Sequence, residues 1–285
     1  MGTLYLVSTP IGNLEDMTYR AVRVLREVSL IAAEDTRQTR KLLTHFEIST
    51  PLTSYHQHSA AVRREALVAA LATGDVALVS DAGTPAVSDP GHELVVDALA
   101  AGYPVIPIPG ASAALAALVA SGLPTDAFLF LGFVPRKPAE RREYLKLIRT
   151  QPWTLILYEA PHRIIACLED ALAVLGDRQV AIARELTKLH EEWLRGRLSD
   201  ALATLKARDA LRGEFTIVIA GAEPDAGADG IELPESVIRE RLARLLGQGV
   251  STRDAAARIA AESGYPRRAI YRLALALQNS PTPDR

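Results

Sequence analysis

The chain has 285 residues, 48% of them hydrophobic and 23% charged, a balance that excludes wholesale disorder and fibrous repeats and leaves room for about two domains of roughly 100–150 residues each. The formal net charge of −2 hides an asymmetry. Residues 235–285 hold nine arginines, no lysine and five acids, a balance of +4 that leaves −6 for the rest, as expected of a polyanion-facing end on a mildly acidic body.

In chain order, residues 3–9 form an apolar run that stops at Pro10-Ile11-Gly12-Asn13 and reads as a buried strand. Residues 18–28 space Ala21, Val22, Leu25 and Val28 as a helix, with Asp16 or Thr18 as N-cap. A strand over 30–33 ends abruptly in Glu34-Asp35-Thr36-Arg37. A helix over 61–72 closes at Gly74, a strand covers 76–80, a helix 91–101 closes at Gly102, and a strand covers 105–108. A helix over 111–121 then opens behind Pro109-Gly110. Repeated βα units at this spacing predict a mainly parallel sheet covered by helices.

The pattern then restarts: strand 128–132, helix 139–150, strand 154–158, helix 164–175, and strands 180–183 and 216–220. Residues 223–234, rich in Pro, Gly and acids, read as a linker, and three helices over 234–246, 252–261 and 267–277 follow it. The expected fold class is α/β: two α/β domains, 1–120 and 121–222, with a cleft between them, and a small helical module over 235–285. The longest apolar stretch, 111–123, is shorter than the roughly 20 residues of a membrane span. With one cysteine, Cys167, and no signal-like start, a cytoplasmic location is expected.

Several chemistries lack their residues. No G-x-G-x-x-G follows a predicted strand, and there is no phosphate loop, zinc spacing or G-x-S-x-G elbow, so no metal is expected. His56 and His58 read as a polar loop lining rather than a metal pair. Three turn-rich segments remain, each behind a strand: 9–14, 80–91 and 109–113. Small residues there expose backbone N–H and C=O groups to a ligand, and three such segments predict one shared cleft.

Six segments, TPIGNL, EDTR, SDAGTPAVSDPG, PGASA, YEAPHR and AREL-TK-HEE, in this order, resemble the tetrapyrrole-methylase-like methyltransferases, and among them the ribosomal small-subunit RNA (cytidine-2′-O)-methyltransferases. The resemblance covers nearly the whole chain. It implies a homodimer that binds S-adenosylmethionine between its two α/β domains and methylates a ribose 2′-hydroxyl of 16S ribosomal RNA. It implies cofactor contacts at Pro10, Gly83, Ala86, Val87, Ser112 and Ala113, and on the other wall at Tyr158, Glu159, Leu186, Phe215 and Thr216. Relatives acting on tetrapyrroles carry Gly-Asp-Pro where this chain has Ala82-Gly83-Thr84.

Because the donor brings the electrophile, the protein's task is alignment, with a general base worth about 10²–10⁴-fold. Asp35, Glu159 and Lys188 are the candidate catalytic groups, drawn from the segment 34–37 and from Glu159, His162, Arg163, Arg184, Glu185, Lys188 and Glu191; Asp81 is a further possibility with an equally good turn-forming role. For RNA, the candidates are Asn13, Arg37, His162 and Arg163, the basic run Arg136, Lys137, Arg141 and Arg142, and Arg267 with Arg268 in the tail. The tail has helix-turn-helix spacing, with Ser251 or Thr252 as a cap and Gly264 at the turn. Two competing readings are a same-fold methylase of a small tetrapyrrole, which the basic segments disfavour, and a DNA-binding regulator with an α/β ligand domain.

Overall fold

The computed structural model describes residues 2–55, 61–223, 234–263, 265 and 267–278. His56 and His58, Gly264, and linker residues 224–233 lie outside them. The chain divides into two compact units, Met1–Gly221 and Ala222–Arg285, and both sheets belong to the first.

The first sheet is built from β1 (Leu4–Val7), β2 (Leu30–Ala33), β3 (Leu52–Ser54), β4 (Val76–Val79) and β5 (Val105–Ile108). Its order is β3-β2-β4-β1-β5 and every pairing is parallel. Period-two alternation explains its two faces. Ala77 and Val79 of β4 pack under α1 (Tyr19–Glu27) and α2 (Thr36–His45), whereas Val76 and Leu78 pack under α3 (Ala61–Ala70) and α4 (His92–Ala100). Thr18 caps α1 by accepting from the Ala21 N–H at 3.1 Å, so of the two predicted caps the nearer one serves.

The second sheet contains β6 (Phe128–Phe133), β7 (Thr154–Glu159), β8 (Gln179–Arg184), β9 (Glu192–Arg197) and β10 (Phe215–Ile219), in the order β6-β7-β10-β8-β9. Only β6 and β7 run parallel; β10 pairs antiparallel with β7 and β8, and β9 antiparallel with β8. One face is covered by α6 (Pro138–Leu147), α7 (Ile164–Leu175) and α8 (Leu198–Lys206). The other takes α5 (Ala113–Ser121), whose Ala114, Ala117 and Leu118 pack on Ile156, Ala181 and Val218. The helix expected to close the first domain therefore packs on the second sheet.

The second unit holds α9 (Glu235–Gly247), α10 (Thr252–Ser263) and α11 (Arg267–Gln278) around Ile238, Leu242, Ala255, Ile259 and Ile270. Ser251 caps α10, accepting from the Asp254 N–H at 3.1 Å. Arg244, Arg253, Arg258, Arg268 and Arg272 are exposed.

Candidate active site

The three turn-rich segments meet at the carboxyl ends of the first sheet's strands. Thr9 and Gly83 exchange backbone hydrogen bonds of 2.9 and 3.0 Å. The Thr9 hydroxyl donates to the Ser80 carbonyl at 3.2 Å, Ser8 and Thr84 bond through their hydroxyls at 3.0 Å, and Thr84 donates to the Ala111 carbonyl at 3.4 Å. Short hydroxyl side chains lace the loops, and glycine lets them approach: a Cβ on Gly110 would lie 2.8 Å from that of Ser8. Ala86 and Ser88 hold φ of 67° and 62°. Each costs of order 1–3 kcal/mol, and such strain concentrates at functional backbone.

The facing wall comes from the second sheet. Tyr158 and Glu159 end β7, Leu186 follows β8, and Phe215 and Thr216 begin β10. The Tyr158 hydroxyl accepts from the Ala114 N–H at 3.1 Å and so fixes the first turn of α5. Ser112, the N-cap of α5, makes no capping bond with its side chain. At one end the walls touch, since a Cβ on Gly12 would fall 2.3 Å from Cγ of Lys188. The cleft encloses about 540 Å³, within the roughly 300–1,000 Å³ of small-molecule sites.

Carboxylates line the first-sheet side. Glu34, directly after β2, is half-buried; burial first, then the charges of Asp89 and Asp81, push its carboxyl up to about 7. Burial, joined by Asp81, pushes Asp89 up to about 6 against the lowering effect of a hydrogen bond with Ser80. On the opposite wall burial raises the Tyr158 phenol, and Glu159 is fully enclosed. Glu159 Oε1 accepts from the Ala160 N–H at 2.9 Å and Oε2 lies 3.2 Å from Arg163 Nη2. The same guanidinium donates to the Val134 carbonyl at 2.7 Å. Just before that carbonyl, Phe133 stands 55% exposed at the cleft, its ring edge-on to Tyr158 at 5.7 Å.

Nine of the eleven expected cofactor residues line this cleft: Gly83, Val87, Ser112, Ala113, Tyr158, Glu159, Leu186, Phe215 and Thr216. Pro10 and Ala86 are not among the lining residues, and Ala86 holds its positive φ within the 83–88 loop. His162 lines the mouth, Arg37 is exposed, and Arg136 and Lys137 are exposed on the segment that follows Phe133. Asn13 accepts from the Glu15 N–H at 3.1 Å and caps a short 3-10 turn. Arg268 is exposed on α11, and the side chain of Arg267 lies outside the described residues.

Four expectations need correction. Asp35 caps α2 through the Arg37 N–H and grips the Arg37 side chain at 2.7 Å; those hydrogen bonds hold its carboxyl down at about 2, far too acidic for a base. Lys188 bonds Glu185 and Glu214, both at 2.8 Å; burial lowers its pKa, but these bonds outweigh it and raise it, so Lys188 is a charged clasp. Arg141 is buried, 2.7 Å from Asp170, and cannot meet a phosphate, while Arg142 reaches the same carboxylate at 3.1 Å from a half-exposed position. Arg163 is turned inward as described. Glu34 is expected only as part of the segment 34–37, through charges placed directly after an apolar strand, whereas Asp89 and Phe133 are not singled out in the sequence. Among the described residues no cluster of His, Cys, Asp and Glu is arranged to hold a metal, and no helix is long and apolar enough to cross a membrane.

Comparison with known proteins gives two matches along the chain. Residues 3–202 match the Tetrapyrrole (Corrin/Porphyrin) Methylases, and residues 234–278 match the RsmI C-terminal HTH domain. The Ribosomal RNA small subunit methyltransferase I of Synechocystis sp. is 50% identical over 280 residues, covering 98% of this chain and 99% of that protein. The protein of the same name from Halalkalibacterium halodurans is 49% identical over 280 residues, covering 95% and 94%, and that of Bacillus subtilis 43% over 273 residues, covering 95% and 93%. Two solved structures share the fold. Uroporphyrin-III-C-methyltransferase from Thermus thermophilus has a TM-score of 0.55 and 24% identity, covering 77% of this chain and 94% of that one. Diphthine synthase has a TM-score of 0.59 and 16% identity, covering 77% and 90%.

Proposed function

Because this chain belongs to the tetrapyrrole methylase family, we propose that it transfers the methyl group of S-adenosylmethionine to small-subunit (16S) ribosomal RNA, at the 2′-hydroxyl of a cytidine ribose. The observation that carries this reading is similarity along the whole chain, tail included, to ribosomal RNA small subunit methyltransferases. The solved fold neighbours are themselves 90–94% covered by only 77% of it.

The cleft suits the cofactor on its own features. The start of α5 offers N–H groups to a carboxylate, the strained 83–88 backbone lies open between small side chains, and Leu186 and Phe215 supply an apolar wall for an adenosine. When bound, S-adenosylmethionine supplies an electrophilic methyl group on a positively charged sulfur. The residues expected to hold it are Gly83, Val87, Ser112 and Ala113 on one side and Tyr158, Glu159, Leu186, Phe215 and Thr216 on the other, with Pro10 and Ala86 shaping the loops. Fixing donor and hydroxyl in line is worth roughly 7–11 kcal/mol of the barrier. Lys188 ties the 185–188 turn to Glu214 and thereby keeps the far wall in register.

RNA enters past Phe133 and His162. Arg136, Lys137, Arg37 and, from the tail, Arg268 provide phosphate contacts, which carry affinity rather than sequence. We assign residues 1–120 and 121–222 to the two halves of the cofactor site and 235–285 to RNA engagement. The protein works as a cytoplasmic homodimer; Leu115 and Val119, exposed on α5, are apolar surface available to a second copy. The test is incubation with labelled S-adenosylmethionine and, separately, small ribosomal subunits, naked RNA and a porphyrinoid precursor. Label in a 2′-O-methylcytidine is expected, and label in the porphyrinoid alone would overturn the reading. Sedimentation of the free protein as a monomer would remove the dimer.

A further inference from the structure

We propose that Glu34 is the residue that takes the proton from the ribose hydroxyl during methyl transfer; this rests on the function proposed above. Methylating an alcohol leaves one proton to be removed. As the new O–CH3 bond forms, the S–CH3 bond breaks with its electron pair staying on sulfur, and the hydroxyl proton passes to a carboxylate oxygen of Glu34. Atoms and charge then balance with no further reactant.

Geometry selects Glu34 by elimination along the cleft. Glu34 lines the cavity from the end of β2, and a hydrogen bond from the Asp81 backbone lowers its proton affinity against burial and the neighbouring charges, which outweigh it. Of the other acids facing that space, all but Asp89 are held by a cation or a backbone N–H. Glu159 is held by its neighbour's N–H and by Arg163, Glu214 is paired with Lys188, and Asp81 accepts from the Asp35 N–H at 2.9 Å. Asp89 lies on the loop after β4 rather than at a strand end, and Ser80 lowers its proton affinity, so it stays below Glu34. Among the described residues no lysine, arginine or histidine pairs with Glu34 or Asp89.

The charges around Glu34 act in one direction. Asp35 stands next to it at the start of α2, and Asp81 and Asp89 face it from the segment after β4, all three raising its proton affinity alongside burial. Arg37, three residues along the chain, is spent on Asp35. Tyr158, Glu159, His162 and Glu214 line the same cleft from the second sheet. A carboxyl poised to about 7 is matched to accepting a proton near neutral pH, which the ordinary carboxylate value is not. The strand explains the placement. Ile31, Ala32 and Ala33 are buried, so the next residue emerges where the sheet ends and the cavity begins.

The test uses the full chain with small subunits or naked RNA under single turnover. Glu34→Gln is expected to lower the transfer rate about 10²- to 10³-fold, in the range of general-base removal. The acidic limb of the wild-type pH profile, centred near 7, should vanish, while calorimetry gives an S-adenosylmethionine affinity within about twofold of wild type. Asp89→Asn removes one repelling charge, so its limb should move to lower pH and its rate at pH 6 should gain relative to its own plateau; a purely structural role for the acids predicts no such gain. Infrared titration of the cofactor-free protein should show a carboxyl band near pH 7 that Glu34→Gln abolishes. Transfer within threefold of wild type with the limb intact overturns the proposal. So does a tenfold loss of cofactor affinity with normal transfer at saturating cofactor, which would make Glu34 a cofactor contact. If the wild-type protein labels no ribose hydroxyl, the proposed function fails and this inference with it; an active wild type with an equally active Glu34→Gln removes the inference alone.

Discussion

Arg141→Met tests whether the basic run after Phe133 is surface or core. The Arg141 side chain is 3% exposed, with Nε 2.7 Å and Nη2 2.6 Å from the same oxygen of Asp170. Further donors reach the carbonyls of Arg136 at 3.3 Å and Ala166 at 3.4 Å. Removing one partner from such a buried pair costs about 3–5 kcal/mol, because the other charge stays behind without compensation. Methionine keeps the apolar stem, so no large cavity is added, and Arg142 still reaches Asp170 at 3.1 Å from the solvent side. The lower end, about 3 kcal/mol, is therefore expected. For a unit of 150–250 residues that is roughly 6–12 °C in Tm. Thermal and urea unfolding by circular dichroism read the loss, and RNA binding measured well below the transition should stay within twofold. A variant as stable as wild type that binds RNA tenfold more weakly would return Arg141 to the RNA-facing surface and refute the reasoning.

Phe133→Leu should weaken RNA binding by about 1–3 kcal/mol, the worth of one base stacked on an aromatic ring, while Phe133→Trp retains it; filter binding with equal values for both variants would count against stacking. Asp35 has a folded pKa of about 2, below its unfolded value, so its contribution is full above about pH 4 and is lost as pH falls from 4 towards 2. Asp35→Ala should remove that acid step from the unfolding profile, and an unchanged profile would contradict the capping role. Ending the chain at residue 234 should leave S-adenosylmethionine affinity intact by calorimetry and flatten the salt dependence of RNA binding, since the exposed arginines of α9 to α11 are removed. Identical salt slopes would take the tail out of RNA engagement.

The first sheet was readable because its strands are short apolar runs separated by Gly, Pro and capping residues. β3, three half-buried residues reading Leu-Thr-Ser, carries no such signal. Nor does β9, an edge strand of Glu-Trp-Leu-Arg-Gly-Arg in which three of the six residues are charged and a glycine interrupts the run. β10 is buried at all five residues, so its sequence shows a strand but no facing direction, and its antiparallel pairing could not be seen. By contrast α8 was passed over although Leu198, Ala201, Leu202 and Leu205 follow a helical stripe. At the site, turn chemistry located the three loops. The roles of Arg141 and Arg163 were hidden because a distant partner takes part in each: Asp170 lies 29 residues beyond Arg141, and Val134 29 residues before Arg163. Asp35 differs, since a partner two residues away already settles its role.

The inward turn of Arg163 also bears on how tightly RNA is held. A loop that must order when its partner arrives gives up part of the interaction energy, about 0.5–1.5 kcal/mol for each rotamer-rich side chain immobilised. Here the carbonyls of Val134 and Pro135 are already fastened to a guanidinium anchored on the enclosed Glu159. The backbone that carries Phe133, Arg136 and Lys137 is thus set during folding, before any nucleotide is met. Pre-organisation of this kind slows dissociation more than it speeds encounter, so under the function proposed above the segment would keep one nucleotide in place for the duration of a single transfer.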